Sequence, residues 1–128
     1  MRRFIVMIAL ILVSMSAFAQ NVQWFQATSF SAKPSYSSTW SSWEDSDVKI
    51  KFDFVNQTIT IYSQQLQHYT VIRQVPAAYD PSGVQEKYLV MDVNGYNYYV
   101  RLRIESNGNS QLYVDASDGS IVYNVRRI

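Results

Sequence analysis

The chain has no cysteine among its 128 residues and only one histidine, His68. The lack of cysteine excludes a disulfide framework and a thiolate metal site, and it leaves no thiol to carry a lipid. A single imidazole without a flanking carboxylate motif is poorly equipped as a catalyst or metal ligand, so His68 reads as a surface or strand-end residue. No serine stands in Gly-x-Ser-x-Gly. Charge of one sign is also missing: 11 basic residues face 10 acidic ones, for a formal charge of +1. A balance so close to neutral gives no long-range field for nucleic acid or an anionic membrane. No window carries a helical apolar stripe with caps.

What is present begins at the amino terminus. Arg2 and Arg3 precede an apolar run from Phe4 to Val13, and Ala17-Phe18-Ala19 stands just before Gln20. That order is a charged region, an apolar region and an A-x-A cleavage site, as in a secretory signal peptide. The run is shorter than the roughly 20 apolar residues that span a bilayer. Residues 1–19 are therefore expected to be removed on export, which leaves one domain over residues 20–128 without a membrane anchor. Loss of the two arginines turns the formal charge of +1 into −1. The expected location is the periplasm or the medium, and export without cysteine has a bacterial character.

The rest of the sequence alternates. Val48, Ile50, Phe52 and Phe54 share one face, with Asp47, Lys49, Lys51 and Asp53 on the other. This period of two predicts a half-buried strand. Asn56-Gln57 turns the chain into a return strand over residues 58–62, with Ile59 and Ile61 inward. A third strand is expected over residues 69–75, ended by Pro76, and residues 77–83 hold the turn signature Asp80-Pro81-Ser82-Gly83. A fourth run, residues 86–93, leads into Asn94-Gly95, a strong hairpin signal. Tyr96, Tyr98, Val100, Leu102 and Ile104 then face one way. Asn107-Gly108 closes that strand, and Asp118-Gly119 separates two last short ones. Upstream, residues 22–30 form a strand, and the Ser-rich residues 31–46 form a long loop. About eight strands joined by tight turns predict an all-β fold, an antiparallel meander closed into a small barrel or folded into a sandwich.

Several residue groups could carry chemistry. The carboxylates Asp80, Asp92, Asp115 and Asp118 sit at turns, and Asp47, Asp53 and Glu105 sit on polar faces, so solvated surface is favoured over a paired-carboxylate hydrolase. Residues 115–119 resemble a fragment of a calcium loop but lack its spacing and its distal Glu. Lys49, Lys51, Arg101, Arg103 and Tyr99 could share an outer face; the interleaved acids suggest cross-strand pairing rather than nucleic-acid binding. The strongest candidates are Trp24, Trp40 and Trp43, large rings that stack on sugars or fill a partner's pocket, unless they plug one end of the barrel or sandwich.

In its leader, its Trp40/Trp43 loop, its alternating strand at residues 48–54 and the Met91-Asp92-Val93-Asn94-Gly95 turn, the chain resembles small exported bacterial all-β proteins of uncharacterised function. The resemblance implies export and an all-β fold. A lipocalin also has an eight-stranded meander, but its Gly-x-Trp is absent here, where Val22-Gln23 precede Trp24. The expected function is non-catalytic binding through Trp24, Trp40 and Trp43 of an extracytoplasmic protein, a glycan or a small apolar molecule, with no cofactor. The alternatives are an inhibitor or accessory factor of an envelope enzyme, inserting residues 77–83 into a cleft, and last a carboxylate hydrolase.

Overall fold

The computed structural model describes residues 21–107 and 109–128. The leader reading at residues 1–19, Gln20 and the turn glycine Gly108 lie outside the described residues. Eight strands follow in order: β1 Val22–Pro34, β2 Glu44–Asp53, β3 Thr58–Ile61, β4 Gln67–Asp80, β5 Gly83–Asp92, β6 Asn97–Glu105, β7 Ser110–Ala116 and β8 Gly119–Arg127. Each pairs antiparallel with the next, and β8 returns to pair with β1 from Phe25–Arg127 to Pro34–Gly119. The meander is therefore a closed barrel, not a sandwich.

Alternation decides what the barrel encloses. Ile50 and Phe52 of β2, Ile59 and Ile61 of β3, Val90 of β5, Val100 and Leu102 of β6, and Leu112 of β7 are almost wholly buried. The outward residues between them are Lys49, Lys51, Lys87, Arg101, Arg103 and Asp115. An apolar interior within a charged outer wall is the reverse of a barrel whose outside meets lipid. In β1 the register shifts between Ala27 and Ser29 in both of its ladders. This bulge at Thr28 flips the alternation. Phe25 and Ala27 are buried inside before it, and Phe30 packs on the core after it.

Five expectations need correction. The loop over residues 31–46 shrinks to residues 35–43, because β1 continues to Pro34. Pro76 does not end its strand; a shift of register between Val75 and Ala78 accommodates the missing N–H. Residues 77–83 are consequently mostly strand, with Pro81 and Ser82 alone between β4 and β5. Phe54 falls beyond the end of β2 and is 44% exposed, its ring 6.1 Å from that of Phe52. Tyr96 precedes β6 and is 68% exposed. At both ends of the hairpins a turn takes over before the alternation is exhausted.

The strands have unequal partners. β3 covers β4 only from Gln67 to Thr70. The N–H of Val71 still bonds the carbonyl of Gln57, a turn residue with φ of +56°. From Ile72 to Asp80, β4 is paired on the β5 side alone. The other strand of that hairpin is tightly built against β6. A Cβ on Gly83 would collide with the carbonyl oxygen of Ile104 and lie 2.9 Å from the Cα of Glu105, whereas one on Gly95 would meet nothing within 4 Å. Gly83→Ala is therefore expected to cost well over about 1 kcal/mol, because backbone must move to admit the methyl. Gly95→Ala should cost only about 1–2 kcal/mol, from its left-handed φ alone. Urea titration of both variants checks the order, and equal losses would contradict the close approach of β5 to β6.

Candidate functional site

One end of the barrel is open. Its mouth is a cleft of about 860 Å3 framed by Phe30 of β1, Val48 of β2, residues 63–66 after β3, Val93 and Asn94 after β5, and Ile121 of β8. Three inward tyrosines lie among its walls: Tyr69 of β4, Tyr98 of β6 and Tyr123 of β8. They gather because inward positions of non-adjacent strands converge inside a small barrel. The rings of Tyr69 and Tyr98 meet edge to face at 5.2 Å, and Phe30 lies 6.4 Å from Tyr123.

Two side chains tie the phenols together. Gln67 accepts from the Tyr69 hydroxyl at 2.8 Å through Oε1, and through Nε2 it donates to Tyr123 Oη at 3.1 Å and to Ser63 Oγ at 3.0 Å. Asp92 accepts from the Tyr98 hydroxyl at 2.8 Å and from the N–H groups of Asn94 and Tyr96 at 2.9 and 3.0 Å. One carboxylate thus anchors both the β5–β6 turn and the mouth. Tyr123 accepts from Gln67, and its own hydroxyl proton has no partner among the described residues. That proton is the donor left to a ligand. Burial pushes the Tyr69 and Tyr123 phenols above their usual range, and the Asp92 hydrogen bond does the same for Tyr98. All three are neutral at physiological pH. Above this layer the rim is mixed: Leu66, 60% exposed, and Val93, 79% exposed, stand beside Gln64, Gln65 and Asn94.

The three tryptophans are not brought together, and none plugs a barrel end. Trp24 points outward from β1 and lies near-parallel to Tyr62. Trp40 meets Tyr113 edge-on at 6.2 Å beneath Lys33, on the outer wall. Ser41 folds this loop back through its N–H to Ala32 O and its carbonyl to the Ser31 hydroxyl, at 2.8 and 2.6 Å. Trp43 is 48% exposed just before β2. Nor do Phe52, Phe54, Tyr98 and Val100 line one cavity. Phe52 and Val100 are packed core, Tyr98 lines the mouth, and Phe54 lies outside the strand region.

The basic residues also separate. Lys49 and Lys51 leave β2, while Arg101 and Arg103 leave β6 on the opposite side of the barrel. Arg101 grips Asp115 across β6–β7 at 2.6 Å, and Arg103 holds Asp80 and Glu105 at 2.9 and 2.6 Å. Ser46 and Lys49 stand at Ser-x-x-Lys spacing, a pattern that a strand sends to opposite faces. Ser46 lines the mouth, and Lys49 bonds Gln26 outside at 2.8 Å. Exposed His68 bonds the Thr60 hydroxyl at 2.9 Å. Among the described residues no three His, Cys, Asp or Glu side chains group as metal ligands. Asp92 is the single carboxylate lining the mouth. The mouth itself escaped the sequence reading, since only Tyr98 of its three tyrosines sat in an evident inward series.

No protein-family model matches the chain, and neither a curated protein nor a solved structure matches it.

Three aspartates couple the turns to pH. The backbone N–H and side-chain amide of Asn56 hold Asp53 below its ordinary pKa of 3.8. The guanidinium of Arg103, followed by Ser82, holds Asp80 well below the usual carboxylate range. At Asp92 desolvation opposes ionisation, but the Tyr96 N–H and Tyr98 hydroxyl outweigh it. A carboxyl whose folded pKa is depressed stabilises the fold above its unfolded value and loses that contribution as pH falls through the folded pKa. The urea midpoint should therefore hold above about pH 5 and decline as pH falls through and below 3.8. Asp92→Asn should be less stable at neutral pH and show a shallower acid decline. A variant with the parental acid profile would show that Asp92 does not contribute.

Proposed function

We propose that this is an exported, non-catalytic binding protein whose barrel mouth receives a small apolar molecule bearing a hydrogen-bond acceptor. The observation that carries the reading is exposed Leu66 and Val93 at the rim, set over three inward tyrosines, two of them joined through Gln67 and the third held by Asp92. Pockets of this kind place few polar groups within a mainly apolar wall. The walls supply contact area, and the Tyr123 hydroxyl supplies one donor. Because Gln67 and Asp92 already fix the phenols, little ordering is required on binding, which favours affinity. The leader-like residues 1–19 support a site of action in the periplasm or outside the cell.

Chemistry on the ligand is not part of this reading. Asp92 accepts three hydrogen bonds, its pKa lies on the acid side, and no second carboxylate faces it in the mouth. An inhibitory or accessory role has one observation in its favour. The β4–β5 hairpin tip is rigidly held by Arg103 and carries Tyr79, 79% exposed.

The test is titration with Nile red, a neutral apolar dye with a carbonyl acceptor whose emission rises in a dry site. Wild-type protein should enhance and blue-shift the dye. Leu66→Asp, a change at an exposed position, should weaken binding by about tenfold, since burial of a leucine is worth about 1.5–3 kcal/mol. No enhancement, or equal enhancement by Leu66→Asp, would remove the mouth as the site.

A further inference from the structure

The outer wall carries a second concavity, separate from the mouth. Trp24 on β1 and Tyr62 just after β3 stand on either side of β2. Their rings are near-parallel, 22° apart in plane with centroids at 5.9 Å. Together with Asp47 and Lys49 they line a shallow depression of about 360 Å3. We propose that this depression binds a pyranose residue of a neutral polysaccharide.

The argument begins with side-chain direction. Lys51 is the register partner of Trp24, and the Tyr62 N–H bonds the carbonyl of Lys49 at 2.9 Å. All these side chains leave the wall on its outward face, where packing of the interior makes no demand on them. Tyr62 is 45% exposed. The Lys51 ammonium lies 5.7 Å from the Trp24 ring centre and helps to hold that ring in place. The two rings form an offset stack in which each covers part of the other, so Trp24 braces Tyr62 from behind and the exposed Tyr62 ring offers its free face to the C–H face of a sugar, an amphipathic use of tyrosine.

A platform alone would not select a sugar; the polar fence does. Asp47 and Lys49 are neighbours on the same face, yet they do not pair with each other. Gln26, 8% exposed, stands between them. Its Nε2 donates to Asp47 Oδ1 at 2.6 Å, and its Oε1 accepts from Lys49 Nζ at 2.8 Å. The amide thus holds a carboxylate and an ammonium side by side. Among the described residues the second carboxylate oxygen and two ammonium protons have no partner. Each hydroxyl of a vicinal diol both donates and accepts, so a diol matches one spare acceptor beside one spare donor. Asp47 offsets Lys49 and Asp53 interacts with Lys51, so the face gives phosphate or an anionic lipid no strong positive field. The depression is also too shallow and polar-edged for an apolar molecule.

The test is native gel electrophoresis through gels containing hydroxyethylcellulose, starch, laminarin or galactomannan, with alginate as an anionic control. At least one neutral polymer should retard wild-type protein. Trp24→Ala should weaken retardation by about tenfold, as expected for loss of about 1.4 kcal/mol of stacking. Asp47→Asn keeps size and shape, so it tests the fence even where Trp24→Ala fails to fold, and it should also weaken retardation. With each mobility taken relative to a polymer-free gel, which removes the effect of altered charge, Trp40→Ala and the mouth variant Leu66→Asp should be retarded as wild type, which separates this site from the dye site. Absence of retardation by all four neutral polymers would overturn the proposal. So would retardation by alginate alone, full retention by Asp47→Asn, or loss in Leu66→Asp.

Discussion

The structure depends on one strand being paired along both edges. β1 bonds β2 on one side and β8 on the other, and that second ladder converts a ribbon of hairpins into a closed wall. Closure satisfies backbone groups that would otherwise be exposed at two sheet edges. It also forces alternate side chains into a narrow shared interior. Register shifts at the same place in both ladders: Thr28 is the extra residue against β8, whereas against β2 it faces two residues, Ser46 and Asp47. Without that extra residue, Phe30 would point outward and the mouth would lose a wall.

The filled interior explains why the mouth is a cup and not a deep calyx. Phe25, Phe52 and Tyr88 form a T-shaped aromatic layer across the barrel, with Phe52 meeting Phe25 at 5.5 Å and Tyr88 at 5.9 Å. Burial raises the Tyr88 phenol well above its usual range, and Glu86 accepts its hydroxyl proton at 2.9 Å. The larger space lies above this layer, where larger polar aromatics replace aliphatic residues, and a smaller pocket of about 190 Å3 lies against Phe52, Phe54 and Tyr88. The same turns that close the hairpins then position the site, since Asp92 serves the β5–β6 turn and Tyr98 at once.

Strands with a charged face opposite an apolar one were legible in the sequence. Asp47 to Phe52, Thr58 to Ile61 and Asn97 to Glu105 alternate because one side meets water and the other meets the core. Turn chemistry was legible at Asn94-Gly95 and Asp118-Gly119. Long-range events were not. Whether β8 would reach β1 depends on accumulated twist and stagger, which local residues do not display. Pro76 misled because a bulge can absorb a missing donor. The tryptophans stood out by type, but their location on the wall depends on Tyr62 and Tyr113, residues distant in the chain. The mouth draws on side chains from β1, β2, β4, β5, β6 and β8, so no single window contains it.

The four-residue β3 has a consequence for how molecules of this chain avoid one another. Past Thr70, the wall has a selvedge: a stretch of backbone with one stitched side and one open to any extended strand nearby. Such a border invites stacking of chain upon chain. Here it is interrupted by two shifts of register, which break the even row of groups that a newcomer would pair with. Two irregularities that look like flaws within a long strand thereby roughen the border left by a third stave too short to finish the job.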